Sequence, residues 1–219
     1  MNVIYEDNHL LIVDKPSLLP TMGVSKGDSS LISKAKDYIK KKYQKPGNVY
    51  LGVVSRLDSW VSGVIVLART SKAAARLNDQ FAKSNVSKIY LAIVDGEIPE
   101  SGELENWVAK NERLRRMECV SEGTERAKFA RLRFRKIGQY GTKRLLEIEL
   151  LTGRKHQIRL QLSDFGFPIL GDVKYDSELQ FPKGISLHSL KLKLEHPTLK
   201  EELVFKADPP SYWDVDRFK

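Results

Sequence analysis

The stretch VVSRLDSWVSGVIVLART, residues 53–70, places one carboxylate, Asp58, in a polar turn between two apolar runs. Val53 and Val54 end the first run, and Val64 to Leu67 form the second. Between them lie Arg56, Asp58, Ser59 and the pair Ser62-Gly63, which is turn chemistry with a charged pair inside it. A carboxylate held by a β scaffold at a loop tip is well placed to act on a ligand. Taken alone, however, an Arg-x-Asp turn is more often a structural ion pair than a catalytic one.

Working outward, Val3-Ile4-Tyr5 and Leu10 to Val13 read as short strands ended by Lys15-Pro16. Leu31, Ile32, Ala35, Tyr38 and Ile39 recur at helical spacing, with Lys34, Lys40 and Lys41 on the opposite face. Residues 49–54 and 63–69 are expected strands flanking the Asp58 turn. Ser71 is a candidate cap for a helix that buries Ala74, Leu77 and Phe81 and ends near Ser84. Strands are expected at 87–95, 104–110, 126–137 and 143–151, then a helical pattern over 154–165 with Gly166 as its cap. Strands at 186–194 and 202–206 and a short terminal helix complete the pattern. Strands outnumber helices, and most connections are too short for parallel crossovers. The expected fold class is α+β with a mixed, largely antiparallel sheet and flanking helices.

The chain has 219 residues, enough for one sizeable core or two small domains. No apolar run approaches the roughly 20 residues that span a bilayer. Cys119 stands alone, so no disulfide framework or thiolate metal cluster can form within one chain, and a reducing cytoplasm is the expected location. Lys and Arg total 37 against 28 Asp and Glu, a net charge of +9 that suggests a polyanionic partner, above all nucleic acid. Between Lys110 and Lys136, ten basic residues face four acids. There Arg131, Arg133 and Arg135 alternate with Ala130, Leu132 and Phe134, putting three guanidinium groups on one strand face. Such a row either tracks a phosphate backbone or pairs with the Glu147 and Glu149 face of the next strand.

Four blocks in order carry a family resemblance: DNHLLIVDKPSLLPT (7–21), SRLDSWVSG (55–63), KIYLAIVDG (88–96) and LLTGRKHQIRLQLSDFGFPILGD (150–172). Together they resemble the RluA-type pseudouridine synthases, which isomerise uridine to pseudouridine in structured RNA. The resemblance implies a bent sheet in two halves with a central active-site cleft, a single catalytic domain over 1–219 without a separate N-terminal RNA-binding module, and no metal or organic cofactor. It implies that Asp58 is the catalytic nucleophile, that Tyr90 lies against the target base, and that Arg159 forms an ion pair with the aspartate. Arg56 is implied to handle the RNA and the displaced nucleotide, and Leu187 to help close the pocket. Arg154 and His156, in the same block as Arg159, are candidate substrate-binding residues. The implied partner is a stem-loop of tRNA or rRNA, bound by a monomer.

The chemistry suits these residue types. Breaking the C1′–N1 bond, turning the base and rejoining it through C5 calls for a carboxylate that adds covalently at C1′ or C6. A nearby guanidinium favours its ionised form. A tyrosine offers a stacking face and a phenol. The nucleotide must leave the helix to be reached. Against this, Tyr90 on a strand is ordinarily core, and Thr152-Gly153 can simply start a helix with Arg154, Lys155 and Arg159 on its wet face and His156 as a hydrogen-bonding residue. The chain also departs from the family pattern: Ser55 replaces a histidine, Val61 replaces a threonine, and a bulky Trp60 precedes Val61. The competing reading is an RNA-binding or RNA-remodelling protein on the same scaffold without turnover. A hydrolase using Asp58 lacks a second carboxylate at a recognisable position.

Overall fold

The computed structural model describes residues 1–25 and 28–218. In chain order the elements begin with β1 (Asn2–Glu6), β2 (Leu10–Lys15), α1 (Leu31–Lys42), β3 (Gly52–Val53), β4 (Ser62–Ala68), α2 (Ser71–Ala82) and β5 (Ser87–Asp95). They continue with β6 (Ser101–Asn111), β7 (Arg116–Val120), β8 (Lys128–Tyr140), β9 (Lys143–Leu150), α3 (Gln157–Asp164), β10 (Leu187–Glu195) and β11 (Glu202–Lys206). The chain is α+β with mostly antiparallel strands and few helices, as expected. It falls into two compact units, Met1–Ser87 with Ser189–Asp208 and Lys88–His188 with Pro209–Lys219. No helix among the described residues is long and apolar enough to cross a membrane.

In the first unit, β2 and β4 pair antiparallel from Leu10↔Ala68 to Lys15↔Gly63. Their runs LLIV and VIVLA are buried along their whole length, which is why they read as continuous apolar stretches rather than alternating ones. Ala73, Ala74 and Leu77 of α2 pack with Leu10, Ile12, Val64 and Val66 on one face. The α2 cap is Thr70, one residue before the expected Ser71: its hydroxyl oxygen accepts from Ala73 N at 3.1 Å. Ser62-Gly63 belongs to β4 rather than to the turn. Gly63 is required there because a Cβ would lie 2.2 Å from Ser189 O, and its φ is +112°. Of the strand expected over 49–54, only Gly52 and Val53 pair, against Ala68 and Leu67.

In the second unit the order is β5-β9-β8-β6-β7, joined by antiparallel pairs. The strand β7 has no counterpart in the sequence reading, where its charges hid it. The expected terminal helix is two short 3₁₀ turns. The Cys119 thiol packs against the cluster of Val108, Ala130, Leu160 and Tyr175, and burial pushes its pKa up to about 12. It is not a nucleophile at neutral pH.

Candidate active site

The Asp58 turn is held from both sides by the N-terminal segment. Val61 N donates to Asp58 O at 3.1 Å, making a turn with Ser59 and Trp60 at its centre. On one side Thr21 Oγ1 donates to Leu57 O at 2.7 Å and accepts from Leu57 N at 3.3 Å. On the other, the ammonium of Lys15 donates to Ser59 O at 3.4 Å, and to Pro16 O and Leu19 O at 2.9 and 2.8 Å. Leu57 and Val61 point into the core, whereas Asp58 is half-buried and Arg56 exposed. The nucleophile candidate is therefore not on a loose loop. Two buried side chains from another segment fix the backbone that carries it.

Lys15 is fully buried, at 0% exposure, which a lysine tolerates only when its charge is compensated. Burial pulls its pKa down to about 8, while the charges of Asp58 and Asp14 oppose that fall. Because the folded chain releases this proton near pH 8 and an unfolded lysine holds it to about 10.4, the unfolded state binds more protons in between. The contribution of Lys15 to stability therefore rises with pH from about 8 to about 10. Replacing Lys15 with methionine leaves three carbonyls without their donor and is expected to destabilise the fold by about 1–3 kcal/mol at pH 7. The variant also loses the Lys15 share of the pH slope. Urea unfolding of both proteins at neutral and alkaline pH measures both effects; parallel pH profiles would show that the amine is not responsible.

In the second unit Tyr90 lies on β5, opposite Ile148 of β9, and is buried. Arg159 sits in α3, whose residues Gln157 to Leu162 are all buried. The wet helix face that the sequence allows for Arg159 is thus not observed: the residue is 5% exposed and its partner Asp172 1%. Arg159 Nε and Nη2 donate to Asp172 Oδ2 and Oδ1 at 2.6 and 2.7 Å, a two-bond fork that fixes the guanidinium plane. The guanidinium carbon lies 4.9 Å from the centre of the Tyr175 ring. The Tyr175 hydroxyl shares a 2.8 Å hydrogen bond with His156 Nδ1 and accepts from Met117 N at 3.1 Å. Asp172, Arg159, Tyr175 and His156 thus form one network around the start of α3.

The helix starts at Gln157, not at Arg154. His156 precedes it at φ 54°, ψ 22°, a left-handed conformation costly for a residue with a Cβ, with its ring tied to Tyr175. The Gln157 side chain orders the loop that leads into the helix: its Oε1 accepts from Arg154 N at 2.9 Å and Thr152 Oγ1 at 2.7 Å. Arg154 extends to donate to Phe129 O at 2.8 Å. Phe165, the last residue of the expected helical pattern, is exposed. Leu187 opens β10 and is buried.

The arginine row on β8 is a set of cross-strand ion pairs. Register places Arg131 opposite Glu105, Arg133 opposite Glu103 and Glu149, and Arg135 opposite Glu147. Arg133 meets Glu103 at 2.7 Å, Arg135 meets Glu147 at 3.0 Å, and Arg131 bonds Glu103 and lies 3.0 Å from Glu105. Hydrogen bonds from Arg131, then Arg133, hold Glu103 down at about 2. Of the two readings, the pairing one holds, extended to a second glutamate strand on the other side.

Sequence reasoning missed Lys15, Thr21, Asp172 and Tyr175. The signals were present: Lys15 closes an apolar strand within the first block, and Asp172 ends the fourth, 13 positions after Arg159.

The family described as RNA pseudouridylate synthase matches residues 9–164, spanning both the Asp58 turn and the Arg159 helix. The chain therefore belongs to this family, of RluA type, and is an RNA-modifying isomerase. Among its relatives, the ribosomal large subunit pseudouridine synthase D of Xanthomonas campestris is 32% identical over 99% of this chain and 68% of the relative. An uncharacterized RNA pseudouridine synthase, YhcT, of Bacillus subtilis is 30% identical over 96% of this chain and 69% of its own. Human RNA Pseudouridylate Synthase Domain Containing 4 shares the fold, with a TM-score of 0.81 at 24% identity over 99% of this chain and 92% of that one.

Proposed function

We propose that the chain converts one specific uridine of a tRNA or rRNA stem-loop to pseudouridine, with Asp58 as the covalent nucleophile. The observation that supports this most is the clamped Asp58 turn, with Lys15 and Thr21 holding the backbone on either side of the carboxylate. Asp58 adds at C1′ or C6, the C1′–N1 bond breaks, and the base turns. C1′ then joins C5, the bond to Asp58 breaks and frees the carboxylate, the C5 proton leaves and N1 gains one, so the product is an isomer and no redox partner is consumed. Tyr90 stacks on the flipped uracil, and Arg159, its plane set by Asp172, supports the negative charge of the nucleophile. Arg56, exposed two residues before Asp58, contacts the RNA, while Leu187, Arg154 and His156 line the substrate side. The enzyme works as a monomer in the cytoplasm, and the base is presented by flipping.

The test is to incubate the protein with total RNA and map new pseudouridines, alongside RNA from cells with and without the gene. A single site gained in vitro and lost in the deletion is expected. Binding without any new pseudouridine in either RNA would sink the catalytic reading and favour an RNA-remodelling protein.

A further inference from the structure

Turns prefer small polar residues at their centre, yet this one carries a tryptophan two residues after the nucleophile. Trp60 is 50% exposed although it sits on a backbone fixed by Lys15 and followed by the buried Val61 and Ser62. The exposed half of the ring gains nothing in folding. Burying the ring against a ligand would recover the apolar surface it exposes.

We propose that Trp60 is a stacking platform for the base of a nucleotide adjoining the uridine delivered to Asp58, and so a substrate-binding residue; this rests on the reading of Asp58 as the nucleophile. Three observations favour a base as the occupant. The indole lies two residues from the reacting carboxylate, on the same hydrogen-bonded turn. Arg56, on the same turn, is exposed and cationic, a partner for the phosphate that joins such nucleotides. The chain belongs to a family that acts on RNA and carries a net charge of +9, and a flat aromatic face accepts any base. Leu57 and Val61 of the same turn are buried, whereas Trp60 keeps half of its surface open.

Affinity and tryptophan fluorescence are measured for the full chain with a short single-stranded oligouridine, and then with the RNA identified by mapping. Trp60→Ala is expected to weaken oligouridine binding by roughly 5- to 150-fold, the equivalent of one lost base–aromatic stack. It also removes the quenching of indole emission on binding, while Trp60→Tyr keeps most of the affinity. Removing the base from one or the other neighbour of the target uridine should cost wild type a similar factor at one position and cost Trp60→Ala nothing further there. Unchanged affinity in Trp60→Ala, or equal losses from abasic sites in both proteins, would overturn the proposal. A change confined to self-association in sedimentation would assign the indole to a second copy and overturn it too. Trp60-dependent binding by a wild type that makes no pseudouridine would leave the stacking role standing and reject Asp58 as nucleophile.

Discussion

Asp58→Ala is expected to lower the rate of pseudouridine formation by on the order of 10⁴-fold or more, because no other group takes over a covalent nucleophile's role. RNA affinity should change by less than a few-fold, since the exposed cations and aromatic groups that meet the strand remain. The fold should also survive. Asp58 is half-buried, and the backbone of the turn is anchored at Leu57, Ser59 and Val61. Asp58→Asn separates charge from shape, keeping the size of the side chain while removing its nucleophilicity, and should be equally inactive. Single-turnover assays with the mapped RNA, paired with filter binding, give both quantities. Turnover retained in Asp58→Asn would exclude covalent catalysis by this residue.

Asp172→Ala is expected to be the most damaging single change to stability, by about 3–5 kcal/mol. It removes the fork at 2.6 and 2.7 Å that satisfies two donors of the buried Arg159 guanidinium. For a chain of this length that corresponds to a fall in Tm of about 6–20 °C. Arg159→Ala reverses the imbalance by leaving a 1%-exposed carboxylate without its fork, and should cost a comparable amount. The double variant should therefore lose less than the sum of the two. Additive losses in urea unfolding would show that the pair is not coupled. Asp172→Asn keeps the shape and one acceptor oxygen. If it folds but loses turnover, the fork's function is to orient Arg159.

The strands of this protein are legible in its sequence because their apolar periods are strong: LLIV and VIVLA for buried strands, and alternation in Ala130 to Phe134 and Leu146 to Leu150. Elements whose residues serve partners outside their own segment are less legible. β7 is built from charged and half-buried residues with no apolar period. The start of α3 is set by a glutamine and a left-handed histidine rather than by Ser, Thr, Asp or Asn, so the expected helix begins three residues early. Gly63 reads as a turn glycine, but it is demanded by a backbone that approaches from more than 120 residues away.

The same division runs through the site. The sequence by itself determined the α+β class and the family and marked Asp58, Tyr90 and Arg159 as the candidate site residues, because blocks in fixed order carry that information along the chain. Only the tertiary structure decided what holds them. It found Lys15 beneath the turn, Asp172 across from Arg159, and Glu103 and Glu105 beside arginines that the sequence left open to phosphate. A buried charge is stable only beside its compensating partner, and that partner is chosen by distance in space, not by position in the chain.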